Sequence, residues 1–367
     1  MRNVQKALRR VAAVLLTGIA VAQTAAQTPA PTPTPAQAPT RGRGAGGPAA
    51  PAVEWMPGYV DPTNPQPAYL PPNTPLGTGP YKAIMATEPG AEEFVVYYPA
   101  DFTALGNKKL PILVWGNGSC AYLGNRFRHF LTDIASHGYF VVAGGPMSAP
   151  DNGRSETVMM SQNNALRDPD APLAPAAAPA APAAGAPAAP APRQVTVELL
   201  SKGIDWALAE NQKSGGKFSN KLDPSKVAVM GQSCGGGLAA RFGADKRVKT
   251  IGVWSGATMR TPEWRDTLKV PTLLVSGDPR YDIAFYWGLR DFEGMKKTAA
   301  PVFYAWRNNL THLGTYRVAD GGELAPIATA WLDWQLQGSQ TAAAMFTGAN
   351  CGLCTNAHWH VQKKNMK

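Results

Sequence analysis

Charge is scarce in this chain of 367 residues: only 16 % are Asp, Glu, Lys or Arg, against 44 % hydrophobic residues. Histidine and cysteine are scarcer still, at 5 and 4 residues. No apolar run approaches the roughly 20 residues that a membrane-crossing helix requires. No stripe of Arg and Lys with interleaved aromatics runs through the chain, so the electrostatic footprint of a nucleic-acid binder is missing. The formal charge of +10 supports at most a weak attraction to anionic surfaces. What is present in quantity is apolar material, Gly (37) and Pro (34), and the proline is concentrated in two biased stretches.

The amino-terminal end reads as an export signal. Arg2, Lys6, Arg9 and Arg10 precede an uncharged apolar run over residues 11–22, and Ala20-Val21-Ala22 fits a small-residue cleavage site. Removal of residues 1–22 takes away those four basic residues and lowers +10 to +6. No cysteine lies near the cleavage site to carry a lipid, so no stable membrane anchor is expected and the chain is expected in the periplasm or outside the cell. Residues 23–80 read as a Pro-rich spacer followed by an extended segment that gains Trp55, Tyr59, Tyr69 and Leu70. Residues 169–192 are nearly all Ala and Pro and read as a surface-loop insertion, which costs little in loop-closure entropy. The catalytic domain is expected over residues 81–350, and residues 351–367 read as a Cys/His-containing basic tail.

Between these stretches the pattern alternates. Apolar runs at 93–98, 110–115, 139–143, 226–230, 248–254, 271–276 and 301–305 predict strands. Helical spacing occurs at 126–137, 195–211, 235–242 and 324–336. Continuous apolar strands separated by helices predict an α/β fold, a mostly parallel central sheet with helices on both faces. In such sheets the ligand site lies beyond the carboxyl ends of the strands.

The strongest local signal sits at one such end. Gly231-Gln232-Ser233-Cys234-Gly235 follows an apolar strand and precedes a helix, the context that a nucleophile elbow requires. The turn is tight, so small residues must flank Ser233, and its hydroxyl is presented at a helix N-terminus where developing negative charge is favoured. The elbow architecture needs an acid and then a base later in the chain. His312 follows the 301–305 strand and precedes the closing helix, as a base should, whereas His358 and His360 lie beyond that helix. His129 and His137 precede the serine on a helix and read as structural. Asp278 and Asp282 both follow the 271–276 strand; Asp278 precedes Pro279 and can simply cap a turn, which favours Asp282 as the acid. An oxyanion hole needs two N–H donors. One is expected from Cys234 and the other from the loop Gly116-Asn117-Gly118-Ser119, with Gly118 the candidate. Asn117 and Trp254, at two strand ends, are the candidate substrate-contacting side chains. The Cys234 side chain is expected to point inward, as an inert thiol or a disulfide partner.

With these motifs the chain resembles the α/β-hydrolase superfamily, and within it secreted dienelactone-hydrolase-like and cutinase-like serine esterases. The similar stretches are Gly116-Asn117-Gly118, the elbow, Asp282-Ile283-Ala284, His312 with the residues after it, Trp331-Leu332-Asp333-Trp334-Gln335 and Cys351-Gly352-Leu353-Cys354. The resemblance implies ester hydrolysis through a Ser-His-Asp triad, needs no cofactor, and supports Asp282 over Asp278. A glycine often follows the base in such chains, where this one has Leu313.

Two further readings follow from the residues. Cys351-x2-Cys354-x3-His358-x-His360 offers four soft ligands of the kind zinc takes, but in an exported chain a disulfide is the simpler reading and no metal is expected. The Ala/Pro stretch lacks the amphipathic pattern of a lipase lid, which favours an open cleft for a small-molecule or polymer ester. Rival readings are a serine peptidase on the same fold and a non-catalytic envelope- or glycan-binding protein. An intact Ser, Asp and His in the required order argues against the latter.

Overall fold

The computed structural model describes residues 72–147, 192–258 and 263–366. The export signal, the Pro-rich spacer with most of the extended segment, and the Ala/Pro insertion up to residue 191 lie outside the described residues.

One sheet of nine strands organises the described chain. In chain order the strands are β1 (Ala83–Ala86), β2 (Phe94–Pro99), β3 (Leu110–Gly116), β4 (Phe140–Gly144), β5 (Leu222–Gln232), β6 (Val248–Trp254), β7 (Thr272–Ser276), β8 (Val302–Arg307) and β9 (Trp359–Lys364). Their spatial order is β1-β2-β4-β3-β5-β6-β7-β8-β9. The pairings from β4 through β8 are all parallel. β1–β2, β2–β4 and β8–β9 are antiparallel.

The reason for this architecture is the pattern of the strands themselves. Successive side chains leave a strand on opposite faces. Leu113, Trp115, Val141, Ala143, Ala228, Met230, Leu273, Val275, Phe303 and Ala305 enter one buried cluster. Their chain neighbours Ile112, Val114, Phe140, Val142, Val227, Val229, Leu274, Val302 and Tyr304 enter the other. Strands apolar on both faces must be covered on both. Helices α1 (Arg128–Ser136) and α6 (Leu324–Gln337) cover the first face through Phe130, Ile134, Ile327 and Trp331. Helices α2 (Val197–Gln212), α3 (Cys234–Ala240), α4 (Trp264–Thr267) and α5 (Phe285–Gly294) supply Leu200, Ile204, Ala239, Trp264 and Phe292 to the second. A final short helix, α7 (Gln340–Ala343), follows α6. This is the α/β fold expected from the alternation, a mostly parallel central sheet with helices on both faces. Among the described residues no helix is long and apolar enough to cross a membrane.

The carboxyl-terminal segment differs from the expectation of a tail. Residues Trp359–Lys364 pair along the whole of β8, from Val302↔Lys364 to Arg307↔Trp359. An alternation of buried and exposed residues was masked by three lysines in the last five positions. The lysines are what an edge strand carries to discourage further pairing. β1 also escapes a sequence reading, because four residues of Ala, Ile and Met hold too little pattern.

Candidate active site

The elbow forms because β5 and α3 are joined by a single residue. Ser233 adopts φ 55° and ψ −120°, a backbone conformation that a residue with a side chain takes only when its surroundings impose it. The glycines around it are what permit the turn. A Cβ on Gly231 would lie 2.3 Å from the Gly235 carbonyl oxygen, and one on Gly235 would lie 2.0 Å from the Gly116 carbonyl oxygen. The strand and helix can cross this closely only without side chains. Gly235→Ala is therefore expected to destabilise the fold by about 2–3 kcal/mol and to lower the thermal unfolding midpoint by on the order of 5–10 °C. A melt within a degree of wild type would show that the close approach does not govern stability. The Ser233 N–H donates to the Trp254 carbonyl at 2.8 Å, which locks the turn against the end of β6.

Three side chains from separate loops converge at this turn. The Ser233 Oγ lies 3.0 Å from His312 Nε2. His312 Nδ1 lies 2.7 Å from Asp282 Oδ1. His312 is 2 % exposed and Asp282 is completely buried, while Ser233 is half-buried, so the chain of contacts reaches solvent at the hydroxyl end. Asp282 also accepts the N–H of Gly277 at 2.7 Å and of Ala284 at 2.9 Å. Burial pushes its carboxyl upward. The hydrogen bond and charge of His312 and the two backbone donors outweigh that, so the group ionises below its ordinary value. It is held as an acceptor for the Nδ1 proton, which leaves the Nε2 lone pair facing Ser233.

Asp278 has a different job. It takes a paired contact from Arg280, with Nε at 2.9 Å and an NH2 nitrogen at 2.8 Å, and accepts the Asn309 N–H at 2.8 Å. Its backbone N–H donates to the Leu310 carbonyl at 2.7 Å. These bonds fasten the loop that carries Asp282 to the loop that carries His312, and none of them reaches the imidazole.

The oxyanion candidates border the serine. Cys234 is the first residue of α3, so its N–H has no acceptor within the helix. Gly118 rests against the elbow: a Cβ built on it would lie 3.6 Å from the Ser233 Cβ and 2.0 Å from the Gln232 side-chain oxygen.

Two expected substrate contacts are corrected. Asn117 is completely buried, and its amide nitrogen is spent on the carbonyls of Ala121 (3.0 Å), Leu123 (2.9 Å) and Gly144 (2.7 Å). It shapes the loop after β3 from inside. Trp254 is also completely buried, edge-on to Phe130 and Tyr316 in the core. Ending a strand did not bring its ring to the surface, because α1 and the Tyr316 segment cover that face. Neither side chain offers surface to a ligand. Cys234 is exposed rather than buried, and it is bonded to Cys120, so of the two readings of its side chain the disulfide partner holds and the inert thiol does not.

Some supporting residues gave no sequence signal. Gln232 donates to the His312 carbonyl at 3.0 Å, holding the loop over the elbow. The carboxyl-terminal strand supports the same loop: Asn308 N–H donates to the His358 carbonyl at 3.0 Å, and His360 stacks on Trp306 and bonds Asn308 at 2.9 Å. Cys351 and Cys354 are bonded to each other, so neither sulfur is available as a thiolate ligand.

No family model matches the chain. Among curated proteins it is similar to cutinase est1 of Thermobifida alba, at 27 % identity over 197 residues, which is 53 % of this chain and 49 % of that protein. The chain thus spans about half the length of the curated relative it matches.

Proposed function

We propose that this chain is an exported serine hydrolase that cleaves carboxylic esters through an acyl-enzyme, with Ser233 as nucleophile, His312 as general base and acid, and Asp282 as the group that orients the imidazole. The observation that carries the reading is the uninterrupted contact chain from Asp282 Oδ1 through His312 to Ser233 Oγ, at 2.7 and 3.0 Å. The likeness to a protein named as a cutinase supports ester hydrolysis in general.

In this mechanism His312 Nε2 takes the Ser233 proton as Oγ attacks the ester carbonyl. The N–H groups of Cys234 and Gly118 receive the oxyanion. His312 then gives its proton to the departing alkoxide, and the acyl group stays on Ser233. A water molecule, deprotonated by His312, attacks the acyl carbonyl; the bond from Ser233 Oγ to the acyl carbon then breaks, His312 returns the proton to Oγ, and the acid is released. The buried Asp282 carboxylate stabilises the imidazolium in both halves. A disulfide beside the site and a second near the carboxyl terminus suit an oxidising compartment, which supports export.

The test is turnover of short-chain aryl esters by the purified protein, together with labelling by a fluorophosphonate. The expected result is multiple turnovers and a covalent adduct that peptide mapping assigns to Ser233. A protein that neither turns over the esters nor takes the label at Ser233 would sink the reading.

A further inference from the structure

The disulfide between Cys120 and Cys234 joins two segments that meet at the oxyanion position, and on the reading above neither sulfur takes part in the chemistry. Cys234 immediately follows the nucleophile, and Cys120 closes the loop after β3 that carries Gly118. The bond spans 114 positions in sequence and brings the two Cα atoms to 5.2 Å.

The loop has reason to need a clamp. Ser119 and Cys120 both have positive φ, at 56° and 48°. This is left-handed backbone that residues with a Cβ adopt rarely and at a cost, and here it occurs twice in succession. The β3–β5 pairing of Gly116 with Gly231 holds the start of the loop to the elbow strand, but the hydrogen bonds beyond it lead elsewhere. Asn117 ties it to Ala121, Leu123 and Gly144, the last at the end of β4. The Val195 N–H donates to the Cys120 carbonyl at 2.8 Å, linking the loop to the segment that enters α2. Arg126, two residues ahead of α1, donates to the Gly118 carbonyl at 3.3 Å. Across the gap to the elbow, the covalent link is the disulfide. Cys120 is buried and Cys234 is exposed, so the Cys234 end of the bond lies on the solvent side.

We propose that the Cys120–Cys234 disulfide is a positioning element of the ester-cleaving site, holding the Gly118 loop against the Cys234 N–H, and that its reduction by a dithiol lowers catalysis while the fold persists. The inference rests on the ester-hydrolase reading. In the reduction, two electrons and two protons pass to the protein disulfide, giving two thiols, and the dithiol becomes a cyclic disulfide.

The experiment compares kcat and KM for a short-chain aryl ester in oxidised wild type, in wild type treated with dithiothreitol, and in Cys120→Ala/Cys234→Ala. The Cys351→Ser/Cys354→Ser protein is treated in parallel and is expected to retain activity until the reductant is added. Removing one oxyanion donor costs on the order of 10²–10³-fold in kcat, so a displaced loop is expected to cost between about tenfold and about 10³-fold, with KM changed less than about threefold. Reoxidation is expected to restore kcat. A folded double-alanine protein with kcat within about threefold of wild type would overturn the proposal. Should that variant fail to fold, dithiothreitol titration of wild type decides the matter: activity lost ahead of the tryptophan-fluorescence signal of the fold supports the proposal, and activity lost only together with that signal overturns it. An oxidised wild type inert toward both ester and fluorophosphonate overturns this proposal and the ester-hydrolase reading together. An active wild type whose kcat ignores the disulfide overturns this one alone.

Discussion

Ser233→Ala is expected to lower kcat for a short-chain aryl ester by at least about 10³-fold, and His312→Ala by a similar factor. The physical reason is that the two groups act as one unit. The serine hydroxyl is a weak nucleophile at neutral pH until a base takes its proton. His312 Nε2 at 3.0 Å is the base within reach. Once either partner is gone the other has no task, so the double variant should be hardly worse than either single one. The activity that remains would come from substrate held beside water and the N–H groups of Cys234 and Gly118. Ser233→Ala removes one half-buried hydroxyl, so its melting temperature should stay within a few degrees of wild type, whereas His312→Ala empties a buried position and leaves the Asp282 carboxylate without its partner, so it is expected to melt lower. Steady-state kinetics of the three variants, beside thermal melts, check the prediction. A Ser233→Ala protein that keeps its activity would remove the serine from the mechanism.

Asp282→Asn is expected to cost on the order of 10³–10⁴ in kcat, whereas Asp278→Asn should leave kcat within about threefold of wild type. Both residues follow β7, both are almost completely buried, and both carboxyls ionise below their ordinary value. They differ in what they hold. An amide at 282 can present an N–H to His312 Nδ1, which drives the imidazole proton to Nε2 and leaves no lone pair for the serine. An amide at 278 weakens the contact with Arg280 and Asn309, a loss expected to appear as about 1–2 kcal/mol of stability. That second loss has a pH signature. Burial raises the Asp278 carboxyl, but Arg280 and the backbone donors of Asn309 and Arg280 outweigh it and lower its folded-state value. Its contribution is therefore present above the unfolded value of about 3.9 and disappears as pH falls through the folded value. Asp278→Asn and wild type should differ in denaturant unfolding at about pH 7, and the difference should shrink as pH falls below the unfolded value of about 3.9. Equal activity losses at the two positions would show that the loop cannot be divided between a role in chemistry and a role in holding.

Much of the site could be read in the chain because its chemistry is written locally. Gly231, Ser233 and Gly235 must be near in sequence to make the turn, and β5 must end where the turn begins. The order of Asp282 and His312 after successive strands follows from a right-handed parallel sheet that delivers each strand end to the same edge. The fold class came through for a related reason: strands buried on both faces need mostly apolar residues on both, and β3, most of β6 and most of β8 have them. The choice between Asp278 and Asp282 is of another kind. Both residues sit in one loop, and only the path of the chain shows one carboxyl reaching the imidazole and the other reaching Arg280.

Pairings between distant segments needed the tertiary structure, since sequence carries no distance between residues 114 positions apart. Four cysteines allow three full connectivities, and the close approach of the Gly118 loop to the elbow selects one. Burial is equally a property of neighbours. Asn117 and Trp254 stand at strand ends, where side chains often meet ligands, yet Gly144, Phe130 and Tyr316 enclose them. The lysines of β9 looked like a solvated tail until β8 supplied a partner for their backbone. The sequence by itself determined the class of sheet, the strand-turn-helix around Ser233 and the candidates for nucleophile, base and acid, because each depends on neighbours along the chain. Which acid meets the base, which cysteines join and which aromatics are shut away were decided only in three dimensions, because each depends on what the folded chain packs against them.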